Sequence, residues 1–220
     1  MAIAELERVL SWSPRPGQPE AQSPKPEACS HPSRRIVHVA GPEGVRTARR
    51  YPRLLGLHGS LSPHGPLVNG HQWDTPAALS LVRGAAGDDA WLEAWDGPER
   101  FDILPLLVVT DGAIAAFGRD RRRLRPNIVI AGADGLEERS WEGARLQIGG
   151  ALVRLESLRG RCVMITVDPD TLQRDPDVLK DVVRRFDGRL ALDTSVERTG
   201  LVRTGDEAVL VIGSPVSAAR

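Results

Sequence analysis

The chain has 220 residues, 41% hydrophobic and 26% charged, enough to bury one sizeable core or two small ones. Its 29 Lys and Arg balance 29 Asp and Glu, so no global field draws it to nucleic acid or to an anionic membrane. No apolar run approaches the roughly 18–20 residues of a membrane helix, and Glu5 and Glu7 interrupt what a secretory signal would need at the N-terminus.

Cys29 and Cys162 stand far apart in unlike surroundings, which argues for a reducing cytoplasm and against a disulfide framework. Lys25 and Lys180 are the only lysines among many arginines, alanines and glycines, a bias that fits a GC-rich bacterial genome.

Residues 1–10 can start a short strand or helix on Ile3, Leu6, Val9 and Leu10. From Ser11 to Ser33, six prolines punctuate a polar stretch that cannot hold a hydrogen-bonded ladder and is read as disordered or loosely attached. Ile36–Val39 reads as a strand, Gly41–Gly44 as a turn, and Val45–Ala48 as its hairpin partner. Leu54–His58 is expected as another strand, followed by a loop from Gly59 to Asp74. The clearest helix signal follows. Asp74 or Thr75 can cap it, Pro76 suits its first turn, Ala77, Ala78, Leu81, Val82 and Ala85 give a stripe, and Gly87 ends it.

The second half reads as largely β. Strands are expected at Leu104–Thr110, Ile128–Ala131, Arg145–Ile148, Leu152–Glu156, Val163–Val167 and Ala208–Ile212, with turns at Gly132–Gly135, Gly149-Gly150, Arg159-Gly160 and Gly205-Asp206. One helix over Asp177–Phe186 interrupts them, with Val178, Val182 and Phe186 on one face. Many short strands at near-regular spacing argue for a barrel or sandwich. P-loop, GxGxxG, GxSxG and HExxH patterns are missing, which removes those enzyme classes.

Cys162 carries the most informative chemistry. It follows Gly160 and is preceded by Arg159 and Arg161, and cationic neighbours favour the thiolate, which is both nucleophile and metal ligand. The alternative is a buried cysteine acting as a small hydrophobe. Arg119 to Asn127 reads either as an anion site, with guanidinium forks for a phosphate and an Asn amide that donates and accepts, or as a solvated hairpin tip. It is too short and too poor in aromatics for nucleic acid. His58, His64 and His71 are spaced too widely to complete a zinc set. Asp168 and Asp170 flank a proline, as turn residues do.

Taken in order, these segments resemble the MOSC family, the C-terminal domain of molybdenum-cofactor sulfurases and its stand-alone relatives, which include amidoxime-reducing components and bacterial N-hydroxylated-base reductases. The resemblance covers roughly Arg34 to Leu210. It rests on Thr47-Ala48-Arg49 with Pro52-Arg53-Leu54, on Leu124-Arg125-Pro126-Asn127-Ile128-Val129-Ile130, on Trp141 followed by Leu146-Gln147-Ile148-Gly149, on Arg161-Cys162 leading to Thr166-Val167-Asp168-Pro169-Asp170-Thr171, and on Val202-Arg203-Thr204-Gly205-Asp206.

The resemblance implies a mainly β fold with a few helices (α+β), a MOSC-type β-barrel with a truncated N-terminal β subdomain. Its expected parts are a disordered or divergent segment 1–33, a partial N-terminal-like β subdomain with one helix over 34–96, the barrel over 97–213 and a flexible tail over 214–220. It also implies a molybdenum–molybdopterin cofactor, with Cys162 as the protein's ligand to molybdenum and Arg125, Asn127 and Arg34 (less favoured, Arg35) as cofactor contacts. Arg161 joins them as a candidate contact. A soft thiolate suits a sulfur-rich metal centre, and a pterin phosphate suits arginine forks. Members of the family usually open with a strand carrying Pro-Val-Lys-Ser. Ile3-Ala4-Glu5-Leu6 resembles its start, residues 8–33 diverge as a shifted reading frame or remodelled terminus would, and Lys25 between prolines is no substitute.

The expected activity is reduction of a small N-hydroxylated substrate, with electrons from separate donor proteins because no flavin, iron–sulfur or haem motif is visible. The alternatives are a sulfur carrier with a Cys162 persulfide, filled by a separate sulfur donor since no pyridoxal-phosphate lysine domain is visible, and a non-enzymatic barrel that has lost the cofactor.

Overall fold

The computed structural model describes residues 2–6, 36–95 and 103–211. Two compact units divide the chain, one of Met1–Pro14, Phe101–Thr166 and Asp175–Arg220, the other of Arg15–Arg100 and Val167–Arg174. The proline-rich stretch 11–33, with Cys29, lies outside the described residues, as do Arg34, Arg35 and the tail 214–220. β1 (Ala2–Leu6) opens the chain as a strand and belongs to the first unit.

In the unit built on residues 15–100, β2 (Ile36–Gly41) and β3 (Gly44–Val45) form the expected hairpin, but the second strand stops at Val45. It stops because the buried Arg46 turns inward. Its guanidinium takes Glu43 at 2.9 and 3.0 Å and Asp89 at 2.7 and 2.8 Å, donates to the Ala86 carbonyl at 2.7 Å, and lies 4.9 Å from the Tyr51 ring centre. Hydrogen bonds from Arg46 and then Tyr51 hold the Glu43 carboxyl down at about 2. A methyl group on Gly41 would enter that guanidinium. Gly41→Ala and Arg46→Met are therefore each expected to lower the thermal midpoint by several degrees, read by differential scanning calorimetry.

The strand expected at Leu54–His58 is instead a 3-10 helix over Pro52–Gly56. Pro52 lacks an N–H and presets a helical φ, and Leu54 and Leu57 close i→i+3 bonds to Tyr51 and Leu54. The loop expected over Gly59–Asp74 is instead a three-strand meander of β4 (Gly59–Ser62), β5 (Gly65–Val68) and β6 (His71–Gln72). Asn69 and Gly70 both take positive φ, 47° and 82°, as the tightest hairpin turn requires. The helix follows as expected. α1 (Pro76–Ala86) is capped by the Thr75 hydroxyl, buries Ala78, Val82 and Ala86, and stops at Gly87. β7 (Trp91–Trp95), which the sequence reading missed, pairs with β2.

The other unit holds one seven-stranded sheet. β8 (Leu106–Thr110) runs into α2 (Asp111–Phe117), and β9 (Ile128–Ala131) returns parallel to β8. β10 (Arg145–Ile148), β11 (Ala151–Gly160), α3 (Pro176–Phe186), β12 (Arg189–Arg198) and β13 (Ala208–Val211) complete it. The sheet order is β1-β9-β8-β12-β11-β10-β13, curled as a half-barrel, and every pairing but β8–β9 is antiparallel. The mainly β fold with a few helices is what the structure shows.

The apolar run of β8 is unbroken because both its faces are covered. Leu106 and Val108 pack with Ile128, Ile130, Trp141, Leu146, Ile148, Val153, Leu155 and Leu192 on one side of the sheet. Leu107 and Val109 pack with Val129, with Phe117 of α2, and with Val178, Val182 and Phe186 of α3 on the other. α2 has no counterpart among the elements expected from the sequence. Thr110 caps this helix through Ala113 N, and Asp111 accepts from Gly112, Gly132 and Ala133. β12 was missed because Asp193 and Thr194 break its apolar run, though both are buried.

Glu138, only 1% exposed, ties two strands together. Its carboxylate accepts from Thr110 N at 2.7 Å and from Ala191 N at 3.1 Å. Burial pushes its pKa up, against the pull of those hydrogen bonds.

Candidate functional site

The expected strand at Val163–Val167 is a 3-10 turn over Val163–Thr166, so Cys162 sits between the end of β11 and that turn. Arg161 N still bonds to Gly188 O at 2.8 Å, and then the chain departs. Ile165 N returns to Cys162 O at 3.2 Å, the Thr166 hydroxyl donates to Val163 O at 2.7 Å, and Ile165 is buried beside α3. These local bonds and the burial of one side chain override the β propensity of Val-Met-Ile-Thr-Val. Cys162 is half-buried and in no disulfide.

The Arg-Pro-Asn segment is the second wall. A 3-10 turn at Arg121–Arg123 is capped by Asp120, whose carboxylate accepts from Arg122 N at 2.8 Å. Arg125 then takes φ +56°, a left-handed backbone for a residue with a side chain and a proline behind it. Pro126 is buried. Asn127 donates its N–H to Leu107 O at 2.8 Å and accepts from Leu107 N at 2.9 Å through its side-chain oxygen. That carbonyl end is thereby committed to β8, and only the amide nitrogen is left to face a ligand.

Arginines join the two walls. Arg161 Nη2 donates to Leu124 O at 2.7 Å. Arg123 Nη1 donates to Thr166 O at 3.1 Å and Ile165 O at 3.4 Å. Arg159 pairs at 2.6 Å with Asp193, whose side chain is 5% exposed on β12. Burial, then the charge of Arg159, depress the Arg161 pKa to about 10, while Cys162 and Asp193 pull the other way. Burial likewise lowers the pKa of Arg125, offset by Cys162. Arg125 and Arg161 thus both lie within electrostatic reach of the Cys162 sulfur. Arg161 Nε is buried with no hydrogen-bond partner.

The structure therefore brings together Cys162, Arg125 and Arg161, with Asn127 two residues on from Arg125 and bonded to β8, while Arg34 lies outside the described residues. The sequence reading missed Arg159–Asp193 and Arg123. An aspartate between Leu192 and Thr194 in an apolar stretch was the available signal, because a buried carboxylate needs a cation. Among the described residues no group of three His, Cys, Asp or Glu could hold a metal ion. Asp168 makes turn bonds, as expected, accepting from Asp170 N, Thr171 N and the Thr171 hydroxyl.

Residues 114–209 match the family model of the MOSC domain. Over that span the chain is similar to a MOSC domain. The matched span contains Arg125, Asn127, Arg161 and Cys162. Among curated proteins, the chain is similar to the human mitochondrial amidoxime reducing component 2, 31% identical over 124 residues, 48% of this chain and 36% of that one. It is also similar to molybdenum cofactor sulfurase 2 of Culex quinquefasciatus, 30% identical over 94 residues, 43% of this chain and 12% of that one. The chain thus spans about a third or less of these relatives. Among solved structures, YiiM from Geobacillus stearothermophilus aligns at 20% identity with a TM-score of 0.39, covering 49% of this chain and 54% of that one.

The residues of this site fit an anionic, sulfur-rich cofactor. A buried guanidinium nitrogen without an acceptor is costly to leave unpaired, and an anion placed there would satisfy it. Arg159 pairs with Asp193, and Arg125 and Arg161 bring positive charge beside the thiol.

Proposed function

We propose that this protein binds a molybdenum–molybdopterin cofactor with Cys162 as its thiolate ligand and reduces small N-hydroxylated substrates, in the cytoplasm, with electrons from a separate donor protein. The observation that carries the reading is the buried, acceptorless Arg161 Nε next to Cys162, in a site held against the Arg-Pro-Asn segment. When bound, the cofactor would supply two-electron chemistry capable of removing the oxygen of an N–OH group.

The chain's own residues would do the rest. Cys162 fixes the metal's position. Arg161 and Arg125 hold anionic groups of the pterin, and the Asn127 amide nitrogen donates to it. Arg159 is already occupied by Asp193, which keeps one arginine from competing for the ligand. Among the described residues, no helix is long and apolar enough to cross a membrane.

The test is protein coproduced with the cofactor-synthesis enzymes. Near-stoichiometric molybdenum by elemental analysis, pterin fluorescence after denaturation and dithionite-driven reduction of benzamidoxime support the reading. Protein lacking both metal and pterin overturns it. A second reading keeps Cys162 as a persulfide carrier, favoured by the likeness to a cofactor sulfurase and by cations that would steady a persulfide anion. It predicts a sulfur-sized mass gain at Cys162 after incubation with a cysteine desulfurase, without bound metal.

A further inference from the structure

We infer that Arg123 and Arg161 are positioning residues, a reciprocal pair of braces that hold the Arg-Pro-Asn segment in register with the Cys162 turn. The purpose of the brace rests on the cofactor reading above, but its existence does not. Arg123 reaches from the Arg-Pro-Asn wall to the carbonyls of Ile165 and Thr166 in the Cys162 turn. Arg161 reaches back from the Cys162 wall to the carbonyl of Leu124, one residue before Arg125. The two run in opposite directions across one seam.

The segment needs such support. Arg125 combines φ +56° with a following proline, and a conformation of that kind persists only where its surroundings over-determine it. Hydrogen bonds from a cation are stronger than neutral ones. The Arg161 brace ends on a backbone carbonyl, so it fixes position without neutralising that guanidinium. Arg161 therefore keeps its positive charge, and its unpartnered Nε, for the site. The expectation that Arg161 contacts the cofactor is thus extended: one end of its guanidinium aligns the wall that carries Arg125.

The test uses the full chain, first without cofactor. Hydrogen–deuterium exchange is followed in peptides covering 122–127 and 163–166 for wild type, Arg123→Gln, Arg161→Gln and the double variant. Each single change is expected to speed exchange about tenfold in the opposite wall, as one lost charge-assisted bond implies. The double change should add less than the sum of the singles, since both span the same seam. Peptides of α1 should exchange unchanged. Arg161→Lys, which can still donate one charged bond, should restore most of the protection in 122–127.

In loaded protein, Arg123→Gln should lower the number of sulfur neighbours seen by molybdenum-edge X-ray absorption, because Cys162 drifts from a pterin still held by Arg125 and Arg161. Exchange unchanged across the seam overturns the brace. So does faster exchange everywhere at once, or failure of Arg161→Lys to restore protection. If wild-type protein takes up no molybdenum, the proposed function fails while the exchange experiment still decides the brace.

Discussion

Cys162→Ser protein, coproduced with the cofactor-synthesis enzymes, is expected to lose molybdenum while keeping its fold. Removing an outer-shell partner of a metal ligand costs about 10–100-fold in affinity, so removing the ligand itself should cost more than about 100-fold. A hydroxyl is nearly the same size as the thiol but is a hard, weakly acidic donor, ill-matched to a sulfur-rich centre. Since Cys162 is only half-buried and pairs with no other cysteine, the thermal midpoint should move little. Elemental analysis gives the metal and fluorescence the pterin. Pterin without metal is an acceptable outcome, because Arg125 and Arg161 remain. Stoichiometric molybdenum in the serine variant would falsify the assignment of Cys162.

Glu138→Ala is expected to destabilise the protein by about 2–5 kcal/mol, the cost of leaving two buried backbone donors unpaired. Those donors are Thr110 N and Ala191 N. Urea denaturation followed by tryptophan fluorescence measures it. Glu138→Gln should cost less, since its amide oxygen can keep one bond. The pH dependence has a definite sign. Burial raises the folded pKa of Glu138 above its ordinary 4.5, so the folded state holds the proton at higher pH than the unfolded chain does. Its contribution is full below pH 4.5 and is lost as pH rises through the raised folded value. Across that window, the stability of Glu138→Gln relative to wild type should improve as pH rises. A gap independent of pH would show that Glu138 does not titrate there.

Much of the fold was legible because it depends on local pattern. The helix at Pro76–Ala86 carried its cap, its proline and its terminal glycine in the sequence. The strands at Ile128–Ala131 and Arg145–Ile148 were bounded by turn residues and came out as read. The misses share a cause. β12 hides a buried aspartate whose cation, Arg159, is 34 residues away. The turn after Cys162 is made mostly of β-branched residues that a strand would also accept, and what bends it is burial of Ile165 together with its local bonds, with Arg123 donating to its carbonyls. The meander at Gly59–Gln72 was an exception, since its Asn69-Gly70 turn was written in the sequence and went unread.

The sequence by itself determined which residue types could carry the chemistry: one thiol among arginines and an Arg-Pro-Asn segment ahead of a strand. Those are statements about neighbours along the chain. Only the tertiary structure decided that the two segments meet, that Asn127 spends its carbonyl on Leu107, that Arg159 is taken by Asp193, and that Arg161 is left with a buried nitrogen to fill. Each of those facts is a pairing over 20 or more residues or a degree of burial, and neither is encoded in local spacing. They follow from which strands the sheet places side by side.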